Sequence, residues 1–426
     1  MFKPKTTGAP TSPLRLVLLM ATVMFINYVD RGNLYTAGPL IQDDLHLSAG
    51  DFGLLASAFY FTYVAAQFPA GWLADRFGAK VMLGLGATIW SVATLLTGFA
   101  GGFVSVLLLR LLLGIGESVG FTTTSKLIAT SVPKDRVALA NGTLGFGYLF
   151  GPAVGTALGG LIMAHYGWRF AFIVFGALSL LWLVSWRRVV IREVTIGSAA
   201  VPQGNVPTIS EILRERGVWG ASLGHFCGNY NFYFILAWLP TYLVKVRGFT
   251  LEEMASVATG AYVLQALAAF FAGWAIDRWV KNGGSRTMAN KLPMGLAHLL
   301  GIGCMAGIVI LPVHASIASL FIYEIFLGFS SPGYFAIPQI MGGPTAAARW
   351  VGVQNTIGNI PGIIAPYATG LLIDATGTYV IAFALAGVIN LLGFFGWCVI
   401  LPKIEPVDWA ARAAARAAAT KSVSAA

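Results

Sequence analysis

"GWLADRFGAK" (Gly71–Lys80) places two glycines, one acid and two bases at the end of an apolar run that begins near residue 53. A copy of its core, "GWAIDRWVKNGGSR" (Gly273–Arg286), closes another apolar run about 200 residues later. The shared G-W-x-x-D-R core holds the same place in two sets of apolar runs. The first set lies near 16–38, 53–73, 81–100, 103–128, 138–163 and 169–187. The second lies near 217–243, 252–275, 293–312, 316–340, 348–373 and 377–401. Crossing a bilayer takes about 20 apolar residues, so the chain reads as an all-α integral membrane protein of twelve transmembrane helices in two six-helix lobes. Helices are the expected element because lipid cannot satisfy an open backbone, and the short alternating segments of a membrane barrel are missing from the sequence.

Composition agrees: 57% of the 426 residues are hydrophobic and 10% are charged, with a mean hydropathy of +0.75. No soluble globular chain has that balance. Cys227, Cys304 and Cys398 each sit inside an apolar run and form neither a disulfide framework nor a metal-ligand spacing. The expected division is a cytoplasmic segment 1–15, a first lobe 16–187, a linker 188–216 with the amphipathic stretch "ISEILRER", a second lobe 217–401 and a tail 402–426. The basic N-terminal stretch precedes a run too long for a signal-peptide core, so the first span is expected to be retained.

Orientation follows from lysine and arginine. With both termini and the even-numbered connections on one side, that side collects all but five of the 27 basic residues. Arg169, Lys245 and Arg247 fall on the other side; Arg31 and Arg110 lie inside spans. The expected location is the inner membrane with both termini cytoplasmic, and the net charge of +10 is largely this bias rather than a nucleic-acid footprint.

Ionisable residues at membrane depth are costly and usually functional. Four cluster in the first lobe: Asp30 and Arg31 in the first span, Arg110 and Glu117 in the fourth. At about 1.5 Å per residue, Arg31 lies roughly 22 Å into its span from the cytoplasmic side and Arg110 roughly 10 Å from the far side. Those depths agree in a core about 30 Å thick. Glu117 lies two turns from Arg110 on nearly the same helical face. Their formal charges cancel, so the four can pair, and a proton arriving at Asp30 or Glu117 would free an arginine for an anion. A permanent ion pair that merely fastens the two helices is the other reading.

Three motifs taken in order make the chain resemble the major facilitator superfamily: Gly71, Leu73, Asp75, Arg76, Gly78 and Lys80 in the loop after span two; Arg110 and Gly114 in span four; and Gly147, Gly151, Pro152 and Gly155 in span five. Within it, "NYVDRGNL", "RLLLGIGE", "NYNFYFILAWLPTYL" and "VQNTIGNIPGIIAPYATG" are similar to the anion:cation symporters, carriers of sugar acids and other organic anions. The resemblance implies alternating access, with Asp30 and Glu117 as proton carriers and Arg31 and Arg110 handling substrate carboxylate and internal pairing. It implies that Tyr28, Tyr63 and Asn355 line the cavity, and that Asp75, Arg76 and Lys80, echoed by Asp277 and Arg278, form a conformational latch.

Tyr148 stands where sugar-acid carriers of that family tend to have an amide, and "GFSSPGYFAIPQ" brings Tyr334 into the tenth span. These departures favour an aromatic or less hydroxylated carboxylate. Asn229, Asn231 and Tyr233, with the serines of "FSS", are polar partners that keep a sugar acid the preferred substrate, and Asn359 is a further candidate to touch it. Glu324 and Gln265 are further polar groups within spans. The expected protein is a monomeric proton symporter taking up a small organic anion, with the lipid bilayer as its other partner, no nucleic acid, no metal and no cofactor beyond protons. Exchange, export and sodium coupling remain open. No nucleophile with its base stands out, and no P-loop lysine follows the glycine-rich stretches, so neither an enzyme nor an ATP-driven pump is expected.

Overall fold

A computed structural model describes residues 11–132, 137–190 and 207–412. Among them the chain is helical with no strand. In order come α1 (Pro13–Thr36), α2 (Gly38–Asp44), α3 (Ala49–Phe77), α4 (Ala79–Thr97), α5 (Phe103–Glu117), α6 (Val119–Ser131) and α7 (Val137–Arg187). After them follow α8 (Ile209–Ile212), α9 (Arg216–Lys245), α10 (Leu251–Lys281), α11 (Arg286–Ile310), α12 (Val313–Ser330), α13 (Gly333–Thr376) and α14 (Val380–Phe394). A π-helical turn, Phe395–Ile400, continues α14.

Local chemistry sets the ends. The Ser12 hydroxyl accepts from the Arg15 amide with Pro13 at the first position of α1, and Ser48 and Asp51 form a capping box on α3. Gly78, with φ of 89°, ends α3 and starts α4, which is the turn that "GWLADRFGAK" requires. Gly167 (φ 79°) breaks α7 into two spans, and Gly343 (φ 62°) breaks α13.

Nine helical stretches among the described residues are long and apolar enough to cross a membrane. The stretch 142–187 runs past the Gly167 break and therefore holds two crossings. Helices α3 and α9, at 29 and 30 residues, are about 43–45 Å long and complete the twelve despite their polar content. Helices α5 and α6 together make one crossing, and α12 with the start of α13 makes another.

The chain folds as two compact units. Unit 1 comprises 1–196, 232–266 and 362–382; unit 2 comprises 197–231, 267–361 and 383–426. Glycines set the packing in unit 1, as small residues do between helices in lipid. A Cβ on Gly147 would lie 2.6 Å from the Ala21 carbonyl oxygen, and one on Gly151 2.7 Å from Tyr28 Cβ, so the fifth-span glycine motif is where α7 meets α1. Gly114 does the same for α5 against α3, where a Cβ would meet the Phe59 carbonyl oxygen and Thr62 Oγ1 at 2.3 Å each.

On the unit 1 face remote from Pro13, the short α2 ties helices together. Gln42 donates to Thr241 Oγ1 (3.3 Å), Asp43 pairs with Lys245 (2.7 Å), and Asp44 takes Arg169 and the Trp168 indole. The Asp374 carboxylate accepts from the amides of Ala49 (3.0 Å) and Gly50 (2.6 Å) at the start of α3. Unit 2 has a core around Trp350, Trp397, Met341 and Ile212, onto which Trp409 packs while donating to the Gly342 carbonyl (3.0 Å). The expected amphipathic linker helix is the single turn α8, capped by Thr208, with Ile212 fully buried. The rest of the linker from 191 to 206, the segment 1–10 and the tail from 413 lie outside the described residues.

Gly114→Ala should separate α3 from α5 and destabilise the protein by about 1–3 kcal/mol, the usual range for overpacking. Gly387→Ala in α14, where a Cβ would meet nothing within 4 Å, should leave stability unchanged or slightly raised. Thermal unfolding of both variants in detergent checks the pair, and equal behaviour would refute the close approach.

Candidate functional site

Successive side chains on a helix point about 100° apart, so the neighbours Asp30 and Arg31 on α1 face different helices. Asp30 is 1% exposed and turns to α7, where the Ser179 hydroxyl donates to its Oδ2 at 2.8 Å. Its Oδ1 has no hydrogen-bond partner among the described residues. Arg31 turns to α5 and donates to Glu117 Oε2 through Nη2 (2.7 Å) and Nε (3.0 Å), with Asn27 Oδ1 3.4 Å from Nη2. Both members of this pair are buried. Rings surround the guanidinium: its carbon lies 4.6 Å from the Tyr28 centroid, 4.8 Å from Phe59 and 5.0 Å from Tyr63.

Arg110 is 2% exposed, and its Nε and Nη2 have no hydrogen-bond partner among the described residues. It lies over Phe59 (5.0 Å) and Tyr35 (6.0 Å). Tyr148 meets Tyr28 at 5.7 Å and Phe121 at 5.8 Å, while Tyr60 meets Tyr233 at 4.7 Å. Unit 1 therefore holds a buried ion pair, a second guanidinium with idle donors, a carboxylate with an idle oxygen, and walls that are mostly aromatic. Such a site can hold an anion, exchange a proton and exclude water.

The remaining candidates lie in unit 2. Asn229 donates to the Gly358 carbonyl (2.6 Å) and Asn359 to the Asn355 carbonyl (2.8 Å); Asn355 and Asn359 are half-buried. Asn231 is fully buried, donates to the Cys227 carbonyl (2.9 Å) and accepts from Asn390 (3.3 Å), so it fastens α9 to α14. Tyr334 stacks on His225 at 4.7 Å and 16°, and Gln354 donates to the Tyr334 carbonyl (2.8 Å) beside His225 Nδ1 (3.3 Å). This His225–Gln354–Tyr334 group was not singled out from sequence, where no spacing links its members. Glu324 is 1% exposed with Oε2 unpartnered among the described residues; Gln265, half-buried on α10, belongs to unit 1.

Of the latch candidates, Lys80 donates to the Val189 carbonyl and so ties α4 to the end of α7. Arg76 is exposed over Trp72 (5.3 Å) and Phe77 (5.5 Å), and Asp277 and Arg278 are exposed on α10. The Asp75 side chain lies outside the described residues. No group of three or more His, Cys, Asp or Glu among the described residues could hold a metal ion.

A twelve-helix membrane bundle with paired charges buried mid-span defines a polytopic membrane carrier. The chain belongs to the Major Facilitator Superfamily, whose family model matches residues 20–366. It is 30% identical over 412 residues to the hexuronate transporter of Bacillus subtilis, covering 93% of this chain and 95% of that one. To the probable sulfoacetate transporter of Cupriavidus necator it is 31% identical over 402 residues, with 91% and 93% covered. To the D-galactonate transporter of Escherichia coli it is 28% identical over 416 residues, with 90% and 95% covered. Its fold is that of a bacterial homolog of the human lysosomal transporter Spinster, solved in an inward-facing and occupied conformation, at a TM-score of 0.80 and 17% identity over 92% of this chain and 97% of that one. A D-xylose–proton symporter matches at 0.75 and 14% identity, covering 92% and 99%. The protein is accordingly a transporter of this superfamily rather than an enzyme.

Removing one partner of a buried ion pair leaves an uncompensated charge and costs about 3–5 kcal/mol. Glu117→Leu should therefore destabilise the protein by that order, and adding Arg31→Met should restore most of the loss. A double-mutant cycle on thermal unfolding measures the coupling, and additive losses would mean that the contact contributes nothing.

Proposed function

We propose that the protein is a proton-coupled importer of a small organic anion, a sugar acid of the hexuronate, hexonate or glucarate type. Its two six-helix lobes alternate access across the inner membrane, with both termini in the cytoplasm. The observation that carries this reading is the unequal state of the two buried arginines: Arg31 is occupied by Glu117, whereas Nε and Nη2 of Arg110 have no partner among the described residues. A buried guanidinium with idle donors suits a carboxylate, which it can hold bidentately. The named substrates of the relatives are acids of this kind.

In the proposed cycle an external proton reaches Glu117, the attraction to Arg31 is lost, and Arg31 joins Arg110 on the anion. Asp30, held by Ser179 through one oxygen, is the second proton carrier. Within unit 1, Tyr28, Tyr63 and Tyr148 line the anion. The negative-inside potential opposes entry of an anion alone, and co-transported protons remove that opposition. A second reading is carriage of a smaller, less hydroxylated anion, by exchange or uptake. It is favoured by the ring faces around Arg31 and by the sulfoacetate relative.

In proteoliposomes with an alkaline interior, lowering external pH should raise accumulation of D-glucuronate, D-glucarate, D-galactonate or sulfoacetate, because proton supply rises as pH falls. Glu117→Gln should abolish pH-driven accumulation and retain exchange. Unchanged accumulation in that variant would remove Glu117 from coupling. Arg110→Lys keeps the charge and loses the fork, so it should weaken affinity about tenfold or more; normal affinity would remove Arg110 from the site.

A further inference from the structure

Phe59, on α3, carries no charge and no polar atom, yet both buried guanidiniums lie over its ring. The Arg31 carbon is 4.8 Å and the Arg110 carbon 5.0 Å from its centroid, so the two cations are no more than about 10 Å apart with this ring in common. Phe59 is 0% exposed.

We propose that Phe59 is a positioning residue, a shared spacer that holds Arg31 and Arg110 as two ordered cationic contacts for one anion. Aromatic faces carry negative charge density and attract cations. A ring common to two guanidiniums thus offsets part of the repulsion between them without occupying their donors, which a carboxylate in the same place would do. When Glu117 releases Arg31, the guanidinium remains held over Phe59, Tyr63 and Tyr28 and keeps its orientation for the incoming anion.

The ring is itself fixed from several sides. It stacks on Tyr63 (5.2 Å, 23°) and meets Tyr60 edge-on (4.9 Å, 87°). Thr62 Oγ1 lies 3.3 Å from the Phe59 carbonyl and donates across to the Leu111 carbonyl at 2.8 Å, tying α3 to α5. Gly114 removes the Cβ that would otherwise collide with the Phe59 carbonyl oxygen. The glycine one turn beyond Arg110 therefore lets the backbone that carries this ring lie against the helix that carries the arginine.

The test replaces Phe59 by 4-fluoro-, 3,5-difluoro- and pentafluorophenylalanine, which keep the shape and progressively drain the ring faces. Unfolding temperature of the ligand-free protein in detergent should fall stepwise along the series, and the fall should shrink by about half in an Arg110→Met background. Fluorine makes a ring more apolar, so a residue that only packs would hold or raise the unfolding temperature; a flat or rising series overturns the proposal. The pentafluoro variant should also weaken affinity for D-glucuronate about tenfold. The anion contact rests on the proposed function, but the ligand-free series does not. A stepwise fall with no binding of D-glucuronate, D-glucarate or D-galactonate to the wild type leaves the spacer standing and removes the sugar-acid reading.

Discussion

The site depends on one interaction, the buried contact of Arg31 with Glu117 between α1 and α5. Taking two charges out of water is expensive, and their mutual attraction offsets this only when geometry and further contacts are good. The rest of the site supplies those conditions. Two guanidinium nitrogens meet one carboxylate oxygen, Asn27 accepts from the same arm, and three rings lie around the guanidinium. The pair is also incomplete, since Glu117 Oε1 has no partner among the described residues. A contact made through one oxygen leaves the other open to a proton, which a fully satisfied structural salt bridge would not.

Glycine geometry brings the helices close enough for this. Gly147 and Gly151 seat α7 against the stretch of α1 that carries Tyr28 and Asp30, while Gly114 seats α5 against α3 at Phe59. Lipid offers no hydrophobic drive between helices, so close backbone approach and interhelical hydrogen bonds such as Thr62 to Leu111 carry the association. The same residues that hold the bundle together thereby set the distances among the charges. On the remote face, the basic residues that depart from the general charge bias are placed against α2 or its neighbours: Asp44 takes Arg169, Asp43 takes Lys245, and Arg247 donates to the Tyr242 hydroxyl.

Much of this was legible in the sequence. Span lengths, the repeated G-W-x-x-D-R core and the four intramembrane charges follow from hydropathy and from the cost of charge in lipid. Depth placed Arg31 and Arg110 at one level, and the structure brings both over one ring. Partner choice was not legible. Helical spacing set Glu117 two turns from Arg110 on one cavity wall and left open an ion pair between the first and fourth spans; that the pair is Arg31 with Glu117 is decided by interhelical rotation, which leaves no local signal. Phe59, Asn27 and Ser179 were invisible for a related reason: a phenylalanine, an asparagine or a serine inside an apolar run reads as packing until its neighbours are known. Asn231 is the converse, a polar residue in a suggestive place whose donors and acceptors are spent on Cys227 and Asn390.

The asymmetry between the two arginines bears on why a carrier would keep both. One arginine paired with one acid would leave no cation for the anion until a proton arrived, and substrate binding would then wait on protonation. A single free arginine would bind the anion without consulting the proton at all. In the proposed cycle, with Arg110 idle and Arg31 engaged, the anion would have a first contact in either protonation state and a second only after Glu117 is discharged. Binding in the unprotonated state would then be incomplete, and the protonated state alone would offer two forks. That difference in contacts is what a coupled carrier requires, because a ligand shifts a conformational equilibrium only by its differential affinity for the two states.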